Sequence, residues 1–131
     1  MQRLKPGLAG TFEIKVTREQ CTSRGGPWVF ATPMMVLFVE RNAHELVAPF
    51  LDAGQNTVGV VVNIRHLAPT LEGMTVRAEI ELVEVDRRRL RFKAMVFDDL
   101  EQVGECDHER FVIDIEKAAE RLRKKAAALK Q

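Results

Sequence analysis

Three residues in the amino-terminal half of the chain could do acid–base chemistry together: Thr32, Glu40 and His66. Glu40 lies within "VFATPMMVLFVERNAHEL" (29–46), the most apolar stretch of the sequence, between Val39 and Arg41. A carboxylate sheltered from water must hold its proton more tightly or find a partner, and in either state it can serve as a general base or nucleophile. An imidazole can orient that carboxylate or move a proton near neutral pH. A hydroxyl can donate to it or align a water. The first turn of a helix adds N–H groups and the positive end of the dipole, suited to an oxyanion or a thioester carbonyl. Together these are the parts of an acyl-transfer site.

Each residue also has a plain structural reading. Thr32 before Pro33 fits an N-cap with proline at the first helical position. Glu40 fits a solvated strip with Arg41, His44 and Glu45, and His66 fits a strand end. The spacing sets a limit as well. Eight residues separate Thr32 from Glu40, which on an ideal helix is ~12 Å of rise and ~80° of rotation. Direct contact within one chain is therefore long. His66, a water or an interface between two copies must close the gap.

The elements that position these residues follow from periodicity. "GTFEIKVT" (10–17) alternates as a half-buried strand, and "SRGGPW" (23–28) is turn chemistry. A helix apolar on nearly all sides then starts near Thr32 and ends around "FLDAGQN", with Gly54 near the stop. Four strand-like segments follow at 57–66, 74–85, 88–97 and 102–115. The pattern of the segment 74–85 shifts phase at "LVEV", which predicts a β-bulge. In "TVGVVVNIRH" strict alternation puts Val58, Val60, Val62, Ile64 and His66 on the core face. Thr57, Gly59, Val61, Asn63 and Arg65 would then lie on the other. "EKAAERLRKKAAALKQ" is a helix by propensity, with a weak apolar stripe and a basic end.

Consecutive strands linked by hairpins give an antiparallel sheet with the helix on one face. A helix this apolar is covered only if the sheet wraps it. The expectation is an α+β hotdog fold, about five antiparallel strands around one long central helix, plus a carboxy-terminal surface helix. One domain covers 1–131, with its core at about 10–115 and the last helix at about 116–130. The remaining apolar surface and the open sheet edges point to a homodimer or a dimer of dimers.

With 131 residues and a formal charge of +1, the bulk numbers suit one globular domain and give no case for nucleic-acid binding. No apolar run approaches the ~20 residues of a membrane span, and the amino terminus lacks the apolar core of a signal peptide. Cys21 and Cys106 stand alone and read as reduced thiols, which implies the cytoplasm. "CDHER" (106–110) gathers potential metal ligands, but alternation splits them between two faces and no metal spacing is matched, so no metal is expected. His44 and His108 read as structural. Trp28 reads as a packing anchor beside the helix entrance or as a wall of a substrate pocket.

Three motifs, "VFATPMMVLFVERNA", "VNIRHLAPTLEGMTV" and "HERFVIDIEK", occur in the order and at the separations of the hotdog thioesterases. Across about Leu4 to Lys117 the chain most resembles their fluoroacetyl-CoA thioesterase-like branch. The resemblance implies hydrolysis of acyl-CoA thioesters with no cofactor beyond the coenzyme A of the substrate. It assigns Thr32, Glu40 and His66 to the catalytic site, and it matches Glu109 and Arg110 to the family's "HER", read as structural in the sheet. The fluoroacetyl enzyme has an apolar, Phe-containing lid between first strand and helix. Here "REQCTSRGGPW" is shorter, polar and without Phe, and Pro33 replaces a small flexible residue. A different short or medium acyl-CoA is the expected substrate. Arg65 and the cluster "RRRLRFK" (87–93) are candidates for the CoA phosphates. Two other functions fit the same fold: a non-catalytic acyl-CoA-binding or regulatory module, and an enoyl-CoA hydratase, for which the usual Asp and downstream His on the helix are missing.

Overall fold

The computed structural model describes residues 3–130; Met1, Gln2 and Gln131, within the expected domain span, lie outside the described residues. Strand β1 (Ala9–Lys15) leads into a single turn of 3-10 helix and a two-stranded ribbon, β2 (Cys21–Thr22) and β3 (Val29–Phe30). Helix α1 (Thr32–Val47) follows directly and ends in a 3-10 turn at Ala48–Phe50. Then come β4 (Gln55–His66), β5 (Thr75–Asp86), β6 (Arg89–Phe97), β7 (Gln102–Asp114) and helix α2 (Ile115–Ala128). The five long strands form one antiparallel sheet in the order β1-β5-β6-β7-β4. It curves around α1, as a hotdog fold requires.

Alternation along β5, β6 and β7 delivers the core. Val76, Ala78, Ile80 and Leu82 meet Leu90, Phe92, Ala94 and Val96 on the inner face, all buried. From α1 they receive Met35, Phe38, Val39, Ala43 and Val47. The 3.6-residue repeat of that set gives the helix one buried side, and Met34, Leu37 and Arg41 are left on its open side. The bulge expected in β5 is present: its register with β6 shifts between Leu82 and Glu84.

A second bulge corrects the reading of β4. Its register with β7 shifts between Gly59 and Val61, so alternation does not run through the strand. Val62, Ile64 and His66 face the helix as expected. Before the bulge the inward residues are Thr57 and Gly59, whereas Val58 and Val60 are exposed. Five β-branched or small residues in a row conceal such a shift, because valine suits either face. On β7 the inner face carries Gly104, Cys106, His108, Arg110 and Val112, all buried. α2 has no buried residue. No described helix is long and apolar enough to cross a membrane.

Candidate active site

Thr32 is the first residue of α1, and the N-cap is Ala31, which has no side chain to cap with. The threonine hydroxyl is thus not spent on the helix. It makes a 2.7 Å hydrogen bond with Nδ1 of His66. Pro33 has no N–H, and the N–H groups of Met34 and Met35 both donate to the Ala31 carbonyl. Of the donors at this helix start, the N–H groups of Met34 and Met35 are thus used within the first turn, and that of Thr32 is not among them.

His66 ends β4 opposite Gly104 of β7. Met35, one turn into α1 from Thr32, fills the space over Gly104, where an added Cβ would sit 2.5 Å from the methionine sulfur. The other imidazole nitrogen, Nε2, is buried and has no hydrogen-bond partner among the described residues. Leaving such a group unpaired costs about 1–3 kcal/mol, a cost that a ligand or reacting group placed there would remove. Burial pushes the His66 pKa below its usual 6.5, with the backbone at Ala68 pulling the other way.

Glu40 lies elsewhere. Its carboxylate rests on Gly59, and its Oε2 is 3.6 Å from Nη1 of Arg110. Arg110 is itself tightly held. Its Nε donates to Thr57 Oγ1 at 2.9 Å and its Nη2 to the Thr57 carbonyl at 3.0 Å. Its Nη1 is 3.3 Å from Nε2 of His108. That geometry fixes the His108 tautomer: Nδ1–H donates to the Val61 carbonyl at 2.8 Å, so Nε2 accepts from the guanidinium. Burial, then the neighbouring Arg110 cation, holds the His108 pKa down. The arginine side chain is 7% exposed and the glutamate 35%, so the carboxylate is the more open member of the pair where both line a cavity. This cavity, of about 590 Å³, opens over the free side of α1 and is walled by Met34, Leu37, Phe38 and Ile14.

Sequence reasoning placed Arg110 as structural, yet it is the cation facing Glu40. The signal was available: Arg110 shares the inner parity of Cys106 and His108, and a buried arginine needs an anion. The pairing residues Thr57 and Gly59 were hidden by the β4 bulge. Replacing Arg110 with methionine should lower unfolding free energy by about 2–4 kcal/mol, since three hydrogen bonds are lost and a half-buried carboxylate is left without its cation. Arg110→Lys should recover little of it, because an ammonium cannot span both Thr57 acceptors. Urea midpoints of the two variants check this.

The remaining candidates stand apart. Arg65 follows in sequence beside His66 but points to the outer face, where it is 3.5 Å from Glu105. The larger hollow of the molecule, about 780 Å³, lies on that outer face between Arg65, Lys93, Glu81 and Asp107, and holds none of Thr32, Glu40 and His66. In the basic hairpin, Arg88 pairs with Asp114, Arg89 with Glu84 and Glu109, and Arg91 with Glu84. It sits at the end of the sheet opposite to His66: Arg89 faces Phe111 of β7, whereas His66 faces Gly104. Trp28 sits in the segment before α1, 37% exposed, under the Arg18 guanidinium at 4.4 Å.

Both depressed histidines make stability pH-dependent in one direction. The folded state refuses protons that an unfolded imidazole binds, so stability is full above the usual 6.5 and falls as pH drops below it. Thermal midpoints from pH 7.5 to 5 should therefore decline toward acid; a rise would contradict the burial of these rings.

The fluoroacetyl-CoA-specific thioesterase (FlK) family model matches residues 14–116. The chain belongs to this family. The fluoroacetyl-CoA thioesterase of Streptantibioticus cattleyicolor is 36% identical over 102 residues, covering 78% of this chain and 73% of that protein. The solved structure of the fluoroacetyl-CoA thioesterase FlK superposes with a TM-score of 0.86 at 30% identity, over 93% of this chain and 97% of that one. A hypothetical protein of Thermus thermophilus, a thioesterase superfamily member, superposes with a TM-score of 0.92 at 26% identity, over 99% and 98% of the two chains. Family membership thus reaches across both the Thr32–His66 pair and the Glu40–Arg110 pair.

Proposed function

We propose that this protein hydrolyses acyl-CoA thioesters at a site assembled from two copies of the chain, with Thr32 and His66 from one protomer and Glu40 from its partner. The observation that carries the reading is the separation of the two pairs along an open strand. Within one chain Glu40 rests on Gly59, and His66 lies seven positions beyond Gly59 along β4. At ~3.3 Å per residue that is roughly 20 Å, too far for one thioester. β4 is an edge of the sheet, and Val58, Val60 and Val61 are exposed along it. An apolar open edge is a template for pairing with a second copy. A two-fold axis beside Val62 and Asn63 would bring Gly59 of one strand opposite His66 of the other, and Glu40 with it.

In that arrangement Glu40 acts on the thioester carbonyl as nucleophile or as general base on a water. The Thr32 N–H supports the developing oxyanion, and His66, held by the Thr32 hydroxyl, passes on to the departing CoA sulfur the proton that the attacking water gives up. Water and thioester yield acid and free thiol, so no further group is needed. The substrate is a short or medium acyl-CoA other than fluoroacetyl-CoA, which the polar segment before α1 supports. Arg65 and Trp28 are proposed contacts for the CoA portion and the acyl portion. Free Cys21 and Cys106, the latter with burial pushing its thiol up to about 11, fit a reducing compartment such as the cytoplasm.

Thiol release from acetyl- to palmitoyl-CoA and aromatic acyl-CoAs tests the activity. Turnover that peaks at one acyl length and disappears in His66→Ala is expected. Tight binding with no turnover anywhere on the panel would make the protein an acyl-CoA-binding module instead.

A further inference from the structure

The segment between β1 and α1 is a strap that continues straight into Thr32, and the loop 67–73 continues straight from His66. The two are tied together. Phe30 donates its N–H to the Thr70 carbonyl at 2.8 Å, Val29 bridges to Leu71, and the Glu72 N–H donates to the Trp28 carbonyl at 3.0 Å. One side chain spans the junction. Nε and Nη2 of Arg18 both reach Oε1 of Glu72 at 3.0 Å, while the guanidinium lies 4.4 Å from the centre of the Trp28 ring. Arg18 therefore contacts strap and loop at once. Its planar head does what an ammonium could not, stacking on the indole while pairing with the carboxylate. Trp28, Leu67 and Leu71 are exposed large apolar side chains on the same strap and loop that carry Thr32 and His66.

We infer that Arg18 is a specificity-determining residue that positions Trp28 and the strap, and so selects acyl groups long enough to lie on Trp28, Leu67 and Leu71. The inference rests on the thioesterase reading above and deepens it from acyl-CoA to medium-chain or aromatic acyl-CoA. The strap is tied to the loop through one arginine. The two side chains to be exchanged lie at the surface: Arg18 and Glu72 are 57% and 35% exposed.

The experiment is a charge swap read across acyl length. kcat and KM are measured for acetyl-, hexanoyl-, octanoyl- and benzoyl-CoA with the wild-type protein, Arg18→Glu, Glu72→Arg and the double variant, each checked for an unchanged thermal midpoint. In each single variant the ratio of kcat/KM for octanoyl-CoA to that for acetyl-CoA should fall about five- to tenfold, chiefly through KM. The double variant should regain most of that ratio, and Arg18→Lys should regain part. An equal loss at every acyl length, or no change in the ratio, overturns the inference while leaving the thioesterase reading in place. No turnover by the wild-type protein on any of the four overturns the reading itself, and the inference with it.

Discussion

Glu40→Gln is expected to lower kcat about a thousandfold while leaving the fold intact, since a positioned general base or nucleophile contributes on the order of 10²- to 10⁴-fold. Glutamine keeps the volume of the side chain over Gly59 and can still accept from Arg110, so the change isolates the carboxylate. The environment explains why the effect should be large. Of the Glu40–Arg110 pair, the arginine is committed to Thr57 and His108, and the carboxylate is the more exposed partner in the cavity that both line. The arginine, so fixed, offers the carboxylate a stationary cation. Single-turnover thiol release and far-ultraviolet circular dichroism together check the result. A variant that keeps wild-type kcat would remove Glu40 from the chemistry.

Gly59→Ala should have nearly as large an effect by a different route. A Cβ at Gly59 would collide with the Glu40 carboxylate and sit 3.4 Å from Nη1 of Arg110. The carboxylate is the free end of a flexible side chain, so it swings aside at small cost to stability. Gly59 has ordinary negative φ, and alanine strains no backbone there. Its distance from the reacting carbonyl is what changes, and a displacement near 1 Å costs on the order of 100-fold in rate. kcat should therefore fall about 100-fold with the urea midpoint nearly unchanged. A stability loss with full activity would show that Gly59 serves packing alone.

Much of this was legible in the sequence, and its gaps have specific causes. Alternation in β5, β6 and β7, the unbroken apolar helix and the turn residues between them carry the antiparallel sheet and its wrap around α1, but not its order, because β4 pairs with β7 and not with β5, its neighbour in sequence. The phase slip at "LVEV" was visible because a glutamate falls out of step. The slip in β4 was not, because "VGVVV" offers no polar residue to betray it. From that single irregularity came the wrong facing of Val58 and Val60, and the missed roles of Thr57 and Gly59. Thr32 looked like a cap because Ser, Thr, Asp and Asn usually are. Here a hydroxyl one position inside the helix is freed for His66 instead. Arg110 was underrated because a buried arginine on a strand is rare, and only the folded sheet shows which carboxylate answers it.

The most direct test of the whole account is complementation between two inactive chains. Glu40→Ala and His66→Ala are purified separately, each shown to be folded and inactive on the best acyl-CoA of the panel, then mixed under conditions that exchange protomers. If the site takes Thr32 and His66 from one chain and Glu40 from the other, each mixed dimer holds one intact site of two. Statistical exchange makes about half the dimers mixed, so activity should return to about a quarter of the wild-type value. Mixtures that exchange protomers yet stay inactive would contradict the shared site and confine the chemistry to a single chain.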